Sequence, residues 1–187
     1  MKNLLLLTAL AAVVLPAAVQ AAPANVVVVD RERIYAECNA CKAAQTQLQA
    51  QATALQTRQT ALSTPLKTEA QALQTAVDAL KGAQPGPALK ARVTAFQAQQ
   101  NNANQELARM QQTLQGSQAN VVRQIDAKLE GIYSSVMVAK GANLALDVGS
   151  TLAHGVALDV TTDVLAALNA QLPSVSVTAP VAAPAGR

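Results

Sequence analysis

Gly82-Ala83-Gln84-Pro85-Gly86-Pro87 sets the architecture of this chain. A glycine closes the segment before it and a proline opens the one after it, the order found where one helix stops and another starts. Upstream, from Asn39 to Lys81, the chain is almost all Ala, Gln, Leu, Lys and Thr. Leu48, Leu55 and Leu62 recur by seven; after a step of four, Leu66, Leu73 and Leu80 recur by seven again. That is a coiled-coil stripe with one stutter. Pro65 stands at the step and predicts a kink there. Downstream, from Ala88 to about Lys140, Leu89, Val93, Phe96, Gln100, Ala103, Leu107, Met110, Leu114, Ser117 and Val121 alternate steps of four and three, and Ile125, Leu129, Ile132, Val136 and Ala139 extend the row. At 1.5 Å per residue the two helices reach roughly 65 Å and 80 Å. Joined by so short a turn they must run antiparallel. The spacing therefore predicts a helical hairpin arm over 39–140 with its tip at 82–87.

The two ends of the chain supply what the arm stands on. Val26-Val27-Val28-Val29 is a β-branched run suited to a strand buried on both faces or at a subunit interface. Arg31 to Glu37, with Ile34 and Tyr35, reads as a short helix. After the arm, Ala142 to Val148 reads as a strand, Gly149 to Gly155 as a turn with a second short strand, and Val156 to Leu158 as a third. Thr161-Thr162-Asp163 opens a helix with a Thr cap and an acid in its first turn. Pro173 to Arg187, rich in Pro, Ala, Ser and Val, reads as a disordered tail. The body, 22–38 and 141–172, holds only about 50 residues, too few to stand without disulfides, metal or partners, so the chain is expected to be an obligate oligomer. The fold class is mostly α with a small β body.

Met1-Lys2-Asn3, an apolar run from Leu4 to Leu15, Pro16 and Val19-Gln20-Ala21 read as a secretory signal peptide over 1–21. The run is short for a bilayer span. Of the 187 residues, 51% are hydrophobic but only 2% aromatic, and 13% are charged, with a net charge of +3. So few rings exclude an aromatic platform for nucleic acid. One histidine, His154, and two cysteines exclude a multi-ligand zinc site. No Gly-rich phosphate loop and no nucleophile elbow occur. No catalytic residue, metal site or cofactor is expected, and the chain is not read as an enzyme.

Charge is uneven. Residues 42–109 carry seven cations (Lys42, Arg58, Lys67, Lys81, Lys90, Arg92, Arg109) against three acids (Glu69, Asp78, Glu106). Lys67, Lys81, Lys90 and Arg92 are candidates for contact with a client or an anionic surface, by attraction over about a Debye length, 8–10 Å; solvation of an exposed turn is the plainer reading. Residues 40–130 contain 18 Gln, standing where a coiled coil usually places Glu and Lys. Such a surface is weakly polar and adaptable. Cys38-Asn39-Ala40-Cys41 has three readings: a local disulfide at the base of the arm, free thiols, or metal binding or redox chemistry. Phe96 and Met110 lie on the second stripe and are expected to pack on the first helix. Asp30 and Arg33 are expected to form a structural pair.

Four places in the chain resemble the Skp/OmpH family of periplasmic chaperones. They are Val27-Val28-Val29-Asp30 with Arg33-Ile34; Lys42-Ala43-Ala44 with Leu48; Val136 to Gly141 followed by Leu144-Ala145-Leu146-Asp147; and Asp159 to Leu165 with Leu168-Asn169. The middle matches only in type, and Cys41 stands where the family pattern has Gly. The resemblance implies a homotrimer whose subunits share a small β-barrel, with three hairpins hanging from it. It implies periplasmic, ATP-independent holding of unfolded outer-membrane proteins between the arms, with peripheral contact to anionic lipid or lipopolysaccharide as an additional partner and no nucleic acid. Family arms are rich in Lys, Arg and Glu, and this one in Gln and Ala. Two alternatives stand beside it: a structural coiled-coil adaptor of an envelope assembly, and a CxxC thiol-disulfide protein.

Overall fold

The computed structural model describes residues 24–178. The expected signal peptide over 1–21, and the expected tail beyond 178, lie outside the described residues.

Strand β1 (Val26–Val29) pairs in parallel with β2 (Leu144–Asp147), Val26 opposite Leu144 and Val29 opposite Asp147. Parallel partners need a long crossover, and here the crossover is the entire arm. On the other side of β1, Val28 bridges to Asp159, and the Val160 N–H donates to the Val28 carbonyl at 3.0 Å. The strand is thus flanked on both sides, and Val27, Val28 and Val29 are buried, as a β-branched run demands. The second and third strands expected after Gly149 do not form. Val148–Ser150 and Val156–Leu158 are single 3-10 turns. Gly149, Gly155 and an Asp147 side chain that accepts the Gly149 N–H at 2.8 Å favour tight turning over a ladder.

Helix α1 (Arg31–Glu37) is capped by Asp30, whose Oδ1 accepts the Arg33 N–H at 2.8 Å. The expected Asp30–Arg33 pair is therefore a backbone cap, and the Arg33 guanidinium turns to Glu37 at 3.1 Å. Helix α2 (Asn39–Asp78) is capped by Cys38, whose Sγ accepts the Cys41 N–H at 3.0 Å. It continues without a break through Pro65. Ala79 to Gly82 turn the chain, with Lys81 (φ +47) and Gly82 (φ +92) in the left-handed region. Helix α3 (Pro87–Ala139) starts at the expected N1 proline. Helix α4 (Thr161–Gln171) has Val160 in the cap position and no side-chain cap of its own. The expected Thr cap is replaced by Asp159, whose Oδ1 accepts the Thr161 N–H at 2.8 Å, while the buried Thr161 Oγ1 reaches across to accept the Asp30 N–H at 2.9 Å. That crossing bond ties the two ends of the body together.

The core lies where the arm meets the body. Val121, Ile125, Leu129, Ile132 and Val136 form one buried row on α3, and Ile34, Cys38, Cys41, Ala44, Val164 and Leu168 pack around it. Farther along the arm the stripe thins. Leu73 and Ala103 are buried, but Leu55, Leu62, Leu66, Leu80, Phe96, Leu107 and Met110 are only half-buried between the helices. Phe96 and Met110 keep part of their surface open, and Met110 lines a cavity beside Gln51 and Ala54.

Residues 173–178 correct one expectation. They do not trail away but lie against α3, with Val175 and Val177 packed on the core.

Cys38 and Cys41 are joined by a disulfide, Cα–Cα 5.1 Å, and both are buried. So short a loop restricts the unfolded chain little, about 2 kcal/mol in the chain-entropy model. Replacing both by Ala is expected to lower the unfolding free energy read from denaturant melts by that order and leave the helical content intact; a chain unfolded at room temperature would contradict this.

Candidate functional site

The described surface offers three features: the distal arm, a polar cluster at the arm's root and an open apolar face on the body. On the arm, two ion pairs cross from α2 to α3. Arg58 grips Glu106 through two bonds, 2.6 and 3.0 Å, and the Arg58 guanidinium draws the Glu106 carboxyl below its ordinary range. Arg92 meets Glu69 at 2.9 Å. All four side chains are at least one-third exposed, so each pair adds little stability; they bridge α2 to α3 at two levels of the hairpin. Arg92 is thus engaged with Glu69. Lys67 and Lys90 sit within a helical turn of that rung on opposite helices, and Lys81 is at the tip; all three are exposed, and none makes an ion pair among the described residues. The structure brings Lys67, Lys90 and Arg92 to one level of the arm and sets Lys81 beyond it. His154 is exposed in the segment between the two 3-10 turns.

At the root, Asp126 Oδ1 accepts hydrogen bonds from the Tyr35 hydroxyl and from Arg31 Nη2, the latter at 3.3 Å. Burial, and then the Asp126 carboxylate, push the Tyr35 phenol up to about 12. Burial also raises Tyr133. A folded-state value above the ordinary 10 means that the contribution is present below pH 10 and is lost as pH climbs from 10 toward 12. Tyr35→Phe is therefore expected to flatten part of the alkaline fall in melting temperature and to leave its pH dependence between 7 and 9 unchanged. An equally steep alkaline fall would contradict this. Asp126 was not singled out in the sequence, since it lies 91 residues from Tyr35 and follows no motif.

On the body, β2 turns Ala145 toward the core and leaves Leu144 and Leu146 exposed at 44% and 38%. Leu152, Val156 and Leu158 in the following turns are exposed as well. Among the described residues, β2 pairs only with β1, so its outer edge is open. Five large apolar side chains thus lie exposed within 15 residues, beside an open strand edge.

A long helical hairpin raised on a small parallel β body defines the structural class of this protein. Residues 25–168 match the family model described as outer membrane protein (OmpH-like). The chain belongs to the OmpH-like family. Among solved structures, it is similar in fold to a candidate outer membrane chaperone (OmpH-like) from Caulobacter crescentus CB15, at 21% identity over 87% of this chain and 95% of that one, with a TM-score of 0.69. No curated protein gives a significant match. Family membership supports a chaperone role.

Proposed function

We propose that this protein is an ATP-independent periplasmic holdase which, as a homotrimer, keeps unfolded outer-membrane proteins apart in the cavity between its arms. The observation that supports the reading is the pairing of an arm whose apolar stripe is half-buried with a body whose apolar face is open. The body face calls for other copies of the chain. The arms then present Gln, Ala and Thr surfaces with a basic distal end, able to make many weak contacts at high effective concentration. Clients held this way cannot pair edge to edge. Four cations (Lys67, Lys81, Lys90, Arg92) against two acids (Glu69, Asp78) on the distal arm favour acidic clients and long-range capture. Peripheral contact with anionic lipid or lipopolysaccharide would use the same residues.

The adaptor alternative is disfavoured because such hairpins are flanked by larger β domains, and here β1 and β2 have four residues each. The thiol-disulfide alternative is disfavoured because Cys38 and Cys41 are buried under the body, and exchange needs an accessible sulfur.

The test is dilution of a urea-unfolded outer-membrane β-barrel protein with or without this protein, no nucleotide present. Soluble complexes at one client per trimer, weakened by high salt, are expected. Aggregation undiminished at threefold excess would overturn the proposal.

A further inference from the structure

The segment after α4 is held in an unusual way. Gln124 on α3 pairs its amide with both backbone groups of Ser176: Nε2 donates to the carbonyl at 2.8 Å, and Oε1 accepts the N–H at 3.1 Å. One turn away, Asn120 Nδ2 donates to the carbonyls of Ser176 and Thr178, both at 3.0 Å. The Asn120 amide is itself oriented, because its Oδ1 accepts from Arg123 Nη2 at 2.9 Å, and Asn120 is only 5% exposed. Val175 and Val177 face the core while Ser176 and Thr178 face solvent. This is the alternation of a β-strand, with side-chain amides in the place of a neighbouring strand. Every bond that Asn120 and Gln124 make to this segment goes to its backbone. The contact therefore selects extended shape and alternate apolar residues; the outward Ser176 hydroxyl meets only the segment's own Thr178 backbone, at 3.3 Å, and neither amide.

We propose that Asn120 and Gln124 form a backbone-reading site for an extended, alternately apolar peptide, filled here by the chain's own residues 173–178 and taken by an extended client segment in exchange. The segment runs from the body toward the tip, since Gln124 holds residue 176 and Asn120 reaches on to residue 178. An occupant continuing in that direction follows the arm, where a held client would lie. Extended, alternately apolar segments are what an unfolded β-barrel chain supplies in many copies. The own segment then acts as a weak resident, which lowers the apparent affinity for clients until it is displaced. The client part rests on the holdase reading; the peptide site does not.

The experiment uses the full chain carrying Val175→Asp and Val177→Asp, which unseats the resident segment. A fluorescently labelled peptide of residues 172–178 is the probe, followed by anisotropy. Binding to this variant at least tenfold tighter than to the parent is expected, and adding Gln124→Ala should weaken it about tenfold, the loss of one to two hydrogen bonds. A peptide with Ser176→Pro, which lacks the N–H, should also bind about tenfold more weakly, and one with Ser174→Ala, changed at an exposed outward side chain, should bind as the original does. Circular dichroism establishes that each variant is folded. No binding to the folded variant, or equal binding of the Ser176→Pro peptide, overturns the site. Failure of an unfolded β-barrel client to displace the bound peptide overturns its use by clients. Aggregation protection by the parent is read separately, so failure of the holdase reading is told apart from failure of this site.

Discussion

For the proposed trimer, Leu146→Asp is expected to convert the assembly into folded monomers and to abolish client protection. Leu146 and Leu144 project from the outer side of β2, with Leu152, Val156 and Leu158 just beyond. Burying a leucine side chain contributes about 1.5–3 kcal/mol, and each copy in a closed ring would use this face. A carboxylate there must either stay in water, which holds the copies apart, or enter an apolar contact, which costs several kcal/mol without a partner. The penalty recurs once per copy, so assembly fails entirely rather than weakening. Leu146 is outside the core cluster, so the monomer should retain the parent's helical circular dichroism. Light scattering reads the mass, and Leu146→Met, close in volume, should leave it unchanged. A parent that is already monomeric at low micromolar concentration, or an Asp variant that stays assembled, would contradict the expectation.

What the sequence made legible follows from how local each signal is. The arm, its turn and its antiparallel course are written in neighbouring residues: leucines seven apart, a glycine before the turn and a proline after it. The row from Val121 to Val136 is equally local, and it proved to be the spine of the core. The turns at 148–150 and 156–158 were not legible, because a few apolar residues between glycines fit a short strand or a 3-10 turn equally well. Of the three readings of Cys38 and Cys41, a local disulfide stood first, and the sulfurs are paired. The docked tail was hidden for a different reason. Its Pro, Ser and Val composition reads as disorder, and the groups that hold it, Asn120 and Gln124, lie 52 to 58 residues upstream among other amides of a Gln-rich helix. Of the candidate site residues, Lys67, Lys81 and Lys90 are exposed; that Arg92 is engaged with Glu69 became visible only once the helices were in register.

Leu129→Ala should cost far more than the same truncation on the arm. Leu129 is 1% exposed, at the middle of the α3 row, with Ile125 and Ile132 above and below it. Removing three carbons there forfeits their transfer energy and leaves a void that α1, α4 and β1 cannot all close at once, since Thr161 already ties α4 to β1 through Asp30. The loss should reach about 2–5 kcal/mol, a large fraction of the total stability of a small domain. Leu62→Ala removes the same atoms from a half-buried arm position; the arm helices can approach one another to fill the gap, and the cost should stay near 1 kcal/mol. Denaturant midpoints of the two variants give the comparison directly, and equal losses would show that the arm is packed as tightly as its root. On the proposed holdase reading the contrast would also serve function: a cage of arms admitting chains of different size would need rods that bend and separate at little cost, fixed to a base that does not yield. Amide exchange should follow the same gradient, slow around Ile125 to Val136 and fast beyond Leu62 and Phe96 toward the tip.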